Sequence, residues 1–221
     1  MPRTDEEIKK DVIDQIFWDD SVNAADVKAE VLDGRGTLTG TAPSYTARAS
    51  VVRDAWAVVG VRDVDNQVAV QLPSDLKVPK DEEIRASARS ILQWKTDLDD
   101  TKIQIDVQGG IVTLKGTVDT FWKRFEAEEA LVDLGGVIEL VNELAVVPTL
   151  DVEDELIARD VEKALDRNLL VDPDQVTVEV TNSKVTLTGT VPSLAARRAA
   201  SDVATYTRGV VDVENDLLVA A

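Results

Sequence analysis

Apolar and polar residues follow two periods along this chain, and the same succession of periods occurs three times. Each round begins with apolar residues at i, i+4 and i+8: Ile8, Val12 and Ile16, then Ile84, Ala88 and Leu92, then Ile157, Val161 and Leu165. That spacing predicts an amphipathic helix, and the acidic residues in its first turn suit the positive end of the helix dipole. Strict alternation follows in Val27/Ala29/Val31, Ile103/Ile105/Val107 and Val176/Val178/Val180, which predicts a half-buried strand. Asp33-Gly34, Gly109-Gly110 and Asn182-Ser183 come next, residues of the kind that reverse a hairpin. A second strand ends in Thr-Leu-x-Gly-Thr. Pro43-Ser44, Asp119-Thr120 and Pro192-Ser193 then place a Ser or Thr N-cap before a second helix. This helix is expected to stop at Gly60, Gly136 or Arg208-Gly209, and a third strand runs out through Val70, Val146 and Val219.

The repetition is arithmetically regular. With Gly40, Gly116 and Gly189 as origin, Asp5, Asp81 and Asp154 stand 35 residues upstream. Gly60, Gly136 and Gly209 stand 20 residues downstream, and Asn66, Asn142 and Asn215 stand 26 downstream. The copies align without a gap over 5–70, 81–146 and 154–219, and short Pro-containing segments, 71–80 and 147–153, join them. Three domains follow, at 5–72, 81–147 and 154–219. Each reads helix–strand–strand–helix–strand, with a hairpin and then a helical crossover to a parallel strand. The fold class is α+β: three tandem two-layer α/β sandwiches, each with a three-stranded mixed sheet.

Two repeated positions invite explanation. Parity puts Gly40, Gly116 and Gly189 on the inward side of strand two, where close helix–sheet approach is the expected role. Asn66, Asn142 and Asn215 share the face of the core valines of strand three, so each is expected to be buried and bonded to neighbouring backbone.

The order of landmarks resembles the BON domain, the bacterial osmotic-stress and nodulation module. An Asp-initiated helix leads to a hairpin ending Val112-Thr-Leu-Lys-Gly-Thr-Val118 or Val185-Thr-Leu-Thr-Gly-Thr-Val191. Gly136-Val137 and Val141-Asn142-Glu-Leu144, or Gly209-Val210 and Val213-Glu-Asn215, complete the match. Copy one departs from it, with Gly36 for Val112 and Val185, and Ala42 for Val118 and Val191. The chain is similar to the osmotically inducible OsmY-like proteins of that family. The resemblance implies a stress-response binding module that contacts phospholipid headgroups or proteins, and its motif is structural in content.

Composition narrows the chemistry. With no His and no Cys, thiolate or imidazole zinc sites, Cys–His or Ser–His nucleophiles and disulfides are excluded. A net charge of −18, from 24 Lys+Arg against 42 Asp+Glu, argues against a nucleic-acid groove. Asp97-x-Asp99-x-Thr101 begins like a calcium loop, but Lys102 and Gln108 stand at its sixth and twelfth positions, so the ligand set fails. The other acidic pairs, such as Asp19-Asp20, read as solvated surface. No nucleotide-binding glycine pattern occurs, no cofactor is called for and no catalytic constellation is readable. With no signal-peptide core and no apolar run of about 18 residues, the expected location is the cytoplasm, or the periplasm if a leader has been removed.

Differences between the copies mark residues that the fold does not require. Trp122 and Phe125 occupy positions held by Thr46/Ala195 and Ala49/Arg198, share one face of the second helix and flank Lys123 and Arg124. This cluster is the candidate contact for a phospholipid surface or a protein partner, and packing against a neighbouring domain is the competing explanation. A soluble protein–protein scaffold without lipid binding is the alternative function. Phe121 aligns with Tyr45 and Leu194, so an apolar residue is expected there. Trp18 and Trp94, opposite Arg167, are expected to pack. Arg48, Arg124 and Arg197 recur at one offset, for a shared structural role or an anionic headgroup.

Overall fold

The computed structural model describes residues 3–22, 26–74, 77–149 and 151–220. Residues 75, 76 and 150 of the predicted linkers, and 23–25 of the first predicted domain, lie outside the described residues. Among the described residues, helices α1 (Asp5–Trp18), α2 (Tyr45–Trp56), α3 (Asp81–Trp94), α4 (Phe121–Glu129), α5 (Asp154–Asp166) and α6 (Leu194–Thr205) are interspersed with nine strands, in the order α-β-β-α-β in each copy. These are β1 (Val27–Leu32), β2 (Arg35–Ala42), β3 (Asp63–Val70), β4 (Ile103–Gln108), β5 (Ile111–Val118), β6 (Glu139–Val146), β7 (Val176–Thr181), β8 (Lys184–Val191) and β9 (Asp212–Val219). They form three sheets of order β1-β2-β3, β4-β5-β6 and β7-β8-β9. In the first and third sheets the hairpin pair is antiparallel and the crossover pair parallel, so each is mixed as expected.

Each first helix buries the stripe read from its spacing: Ile8, Val12 and Ile16, Ile84, Ala88 and Leu92, and Ile157, Val161 and Leu165. The alternating residues of the hairpin strand face the same core, with Ile103, Ile105 and Val107 buried and Gln104, Asp106 and Gln108 exposed. Two compact units divide the chain. One holds residues 1–116 and 127–144, and the other holds 117–126 and 145–221.

The acidic start of each first helix has a use beyond the dipole. Asp5 accepts hydrogen bonds from the Asp33 and Gly34 amides at 2.9 and 3.1 Å, one to each carboxylate oxygen. Asp81 does the same for Gly109 and Gly110 at 2.8 and 3.0 Å, and Asp154 for Asn182 and Ser183 at 2.9 and 2.8 Å. Both turn residues have positive φ in every copy, as a two-residue type I′ hairpin requires. Consecutive turn amides point one way and form a small anion nest, and the helix supplies its anion. This explains how Ser183 is held at φ +62, where a side chain is disfavoured.

Gly40, Gly116 and Gly189 do not serve close helix–sheet approach. Their φ values are +120, +121 and +123, and an added Cβ would lie 1.9–2.1 Å from the carbonyl oxygens of Asp26, Lys102 and Gln175. Those carbonyls lead into the neighbouring hairpin strand, so the obstacle is backbone of the same sheet. The close approach to helix one falls instead to the second glycine, where a Cβ on Gly60 would meet Ile8 Cδ1 at 2.6 Å.

Two helix limits also differ from expectation. Ser44 and Ser193 accept from the Ala47 and Ala196 amides at 3.0 and 3.2 Å, as N-caps should. The Thr120 hydroxyl is buried with no hydrogen-bond partner among the described residues, and α4 is shorter than α2 and α6. The second helices end at Trp56, Glu129 and Thr205, at least four residues before the glycine of each copy, and turns fill the gap. The positive-φ glycines therefore end those turns and not the helices.

Candidate functional site

The aromatic–basic cluster of α4 is largely engaged. Phe121 packs against the core of copy three, alongside Val152, Ala199 and Val203. Trp122 is half-buried and stacks on Tyr206, with ring centroids 6.3 Å apart and planes at 28°. Lys123 pairs with Asp119 at 2.9 Å and lies 5.8 Å from the Trp122 ring centroid, while the Arg124 guanidinium lies over the Phe121 ring. Phe125 alone of the four aromatic and basic candidates is exposed, at 44%.

The same pair of repeat positions meets in the other unit. Thr46, equivalent to Trp122, places its hydroxyl 3.2 Å from Val132 O and 3.0 Å from a carboxylate oxygen of Asp133, the equivalent of Tyr206. A hydroxyl contact between copies one and two thus corresponds to an aromatic stack between α4 and copy three. The starts of α2 and α4 thus each contact another copy, through Thr46 in one unit and through Phe121 and Trp122 in the other. Burial and the carboxylates of Glu128, Glu139 and Glu129 push the Tyr45 phenol up from its ordinary value.

Asn66, Asn142 and Asn215 are half-buried, and each accepts from the amide two residues on, Val68, Leu144 or Leu217, at 3.1–3.2 Å. Their amides also reach outward, Asn142 to Glu128 and Asn215 to Arg197 O, both at 3.1 Å. Arg197 in turn donates to Leu217 O and Asn215 O at 3.0 and 2.8 Å, tying α6 to β9. In copy three, then, this repeated arginine is structural. Arg48 lies over Tyr45 instead, 5.9 Å from the ring centroid.

Trp18 and Trp94, expected to pack, are instead 81% and 84% exposed, and Phe17 beside Trp18 is 68% exposed. Each indole sits two residues past the last buried stripe position, Ile16 or Leu92, about 200° further round the helix. The helical period could have predicted this.

Copy one also buries a carboxyl that the other copies lack. Asp54 is 6% exposed on α2, at the position of Ala130 and Val203. Desolvation, and then the charge and hydrogen bond of Asp19, push its carboxyl up to about 6. Asp19 is held below the usual carboxylate range, chiefly by its hydrogen bond from the Ser21 hydroxyl at 2.6 Å, with Arg53 also bound at 3.1 Å. Among the described residues no group of three or more acidic side chains could hold a metal ion, and no helix is long and apolar enough to cross a membrane.

A family model of the BON domain matches the chain over residues 4–71, 80–148 and 153–221. The chain belongs to the BON domain family. It carries three tandem BON domains, as its repeated motifs implied. No curated protein matches it. Among solved structures, one similar chain is the C-terminal domain of CdsD, the structural protein of the Type III secretion system of Chlamydia trachomatis. It is 15% identical, with 99% of this chain and 100% of that one covered at a TM-score of 0.27. A second CdsD structure from the same organism is also 15% identical, with 97% and 92% covered at 0.27. At such a TM-score the likeness carries nothing further.

Proposed function

We propose that the three BON domains act as a non-catalytic binding module in osmotic or general stress physiology, docking on phospholipid headgroups through the aromatic tips of α1 and α3. The observation that carries this reading is the exposure of Trp18 and Trp94 at one repeat position. Leaving such a ring in water forgoes about 2–3 kcal/mol that burial would contribute. Indoles suit the water–headgroup boundary, where an apolar body and a polar N–H are both satisfied. The net charge of −18, with Asp19 and Asp20 directly after Trp18, opposes an anionic surface. Screening beyond about 8–10 Å confines that penalty to nearby groups, so binding is weak and local. Trp94, followed by Lys95, is the better placed of the two.

Vesicle sedimentation tests this with zwitterionic and anionic compositions. The parent and Trp122→Ala should pellet, and Trp94→Ala should pellet less. A parent that stays in the supernatant with both compositions removes the lipid reading. The acids beside Trp18 favour one second reading, a basic protein partner seated on the same tips. It predicts no lipid pelleting, together with burial of Trp18 fluorescence on complex formation.

A further inference from the structure

Copy three differs from its siblings on one face. A cleft of about 430 Å³ opens there, lined by Asp160 and Lys163 of α5, by Val203 of α6 and by Arg167, Tyr206 and Arg208 beyond the helix ends. Three cations face one carboxylate, in a chain whose net charge is −18. Among the described residues Lys163, Arg167 and Arg208 make no ion pair and no side-chain hydrogen bond. Elsewhere in the same copy, Lys184 reaches Glu214 and Asp212 at 2.8 and 3.8 Å, and Arg197 bonds two carbonyls. The fold does not need these cations, because the equivalent positions are Asp14, Trp18 and Val59 in copy one and Ser90, Trp94 and Gly135 in copy two.

We propose that this cleft binds a soluble phosphate-bearing anion, a diphosphate or a phosphomonoester with a small organic body. Two guanidinium forks and an ammonium match an anion with several acceptor oxygens better than they match a single carboxylate. The volume lies in the range of small-ligand pockets and exceeds what a bare ion fills. Val203 and the Tyr206 ring offer an apolar wall to the remainder of such a ligand. Arg167 caps α5 and Arg208 follows α6, so both also face negative helix ends. That role requires no concavity and no convergence of three charges, and it predicts no ligand. The proposal does not rest on the contacts of Trp18 and Trp94.

Inorganic pyrophosphate titrated into the full chain at low ionic strength tests it, by calorimetry and by the amide shifts of Thr207 and Arg208. One site is expected, with affinity falling about tenfold or more in R167Q/R208Q and falling with added salt. K163Q, whose lysine lies in the last turn of α5 without capping it, should weaken binding in the same direction, whereas R159Q removes an equal charge outside the cleft and should leave it unchanged. Circular dichroism confirms that each variant is folded. Equal binding by parent and R167Q/R208Q, an equal loss in R159Q, or capture only by phosphatidate vesicles without soluble binding would each overturn the proposal.

Discussion

Asp54→Asn should stabilise the first BON domain at neutral pH and do nothing in acid. The Asp54 carboxyl is raised from 3.8 to about 6 by burial and by Asp19. Between those two values the folded domain holds a proton that the unfolded chain has released. Stability therefore falls as pH rises from about 4 to 6, and the whole penalty is present above that window. A shift of this size corresponds to about 2–3 kcal/mol. Arg53 and the hydrogen bond from Gln15 act in the opposite sense and are already included in the raised value. One oxygen of Asp54 is buried without a hydrogen-bond partner among the described residues. An asparagine there keeps the shape, carries no charge and can donate to Asp19 as the protonated acid does. The assay is urea unfolding read by NMR from the amides of Val12 and Val51, which lie in the first core, at pH 4 and pH 7.5. The variant should gain about 2 kcal/mol at the higher pH and match the parent at the lower. A gain of the same size at both pH values, or a loss at pH 7.5, would refute the reasoning.

Three further outcomes follow from the packing. Gly116→Ala should cost about 2–3 kcal/mol, because its Cβ would meet Lys102 O at 2.0 Å at a φ of +121. Gly109→Ala, at φ +59 with nothing within 4 Å, should cost only about 1 kcal/mol, and urea midpoints compare the two. Asp81→Asn should lose about 2 kcal/mol and speed hydrogen exchange at Gly109 and Gly110, the two amides its carboxylate holds. Trp122→Ala should remove about 1 kcal/mol of ring pairing and shift the Tyr206 ring resonances, while the unfolding midpoint of copy one stays unchanged.

Reading three aligned copies made the architecture legible, since the stripes and alternations agree among Ile8, Ile84 and Ile157 and along the hairpin strands. The same comparison exposes Asp54 against Ala130 and Val203, and the cations of copy three against their neutral or acidic equivalents. Chain pattern could not reveal that Gly116 opposes a carbonyl of its own sheet. Side-chain parity says nothing about φ, and strand two reaches its glycine with the backbone already turned. Nor could it show that Asp81 holds a turn 28 residues away, because that bond depends on how the helix docks. Trp122 stood out as the odd member of its column, and the reason is its neighbour Tyr206, itself the odd member of another.

The contacts of Thr46 with Asp133, and of Trp122 with Tyr206, join two repeat positions whose remaining members are both alanine. Copy three offers Ala195 where a donor would stand, and copy one offers Ala57 where a receiver would stand, and both are exposed. Neither methyl can supply a hydroxyl bond or a ring stack. Each of these contacts therefore rests on one pair of side chains that the shared domain fold leaves free to vary.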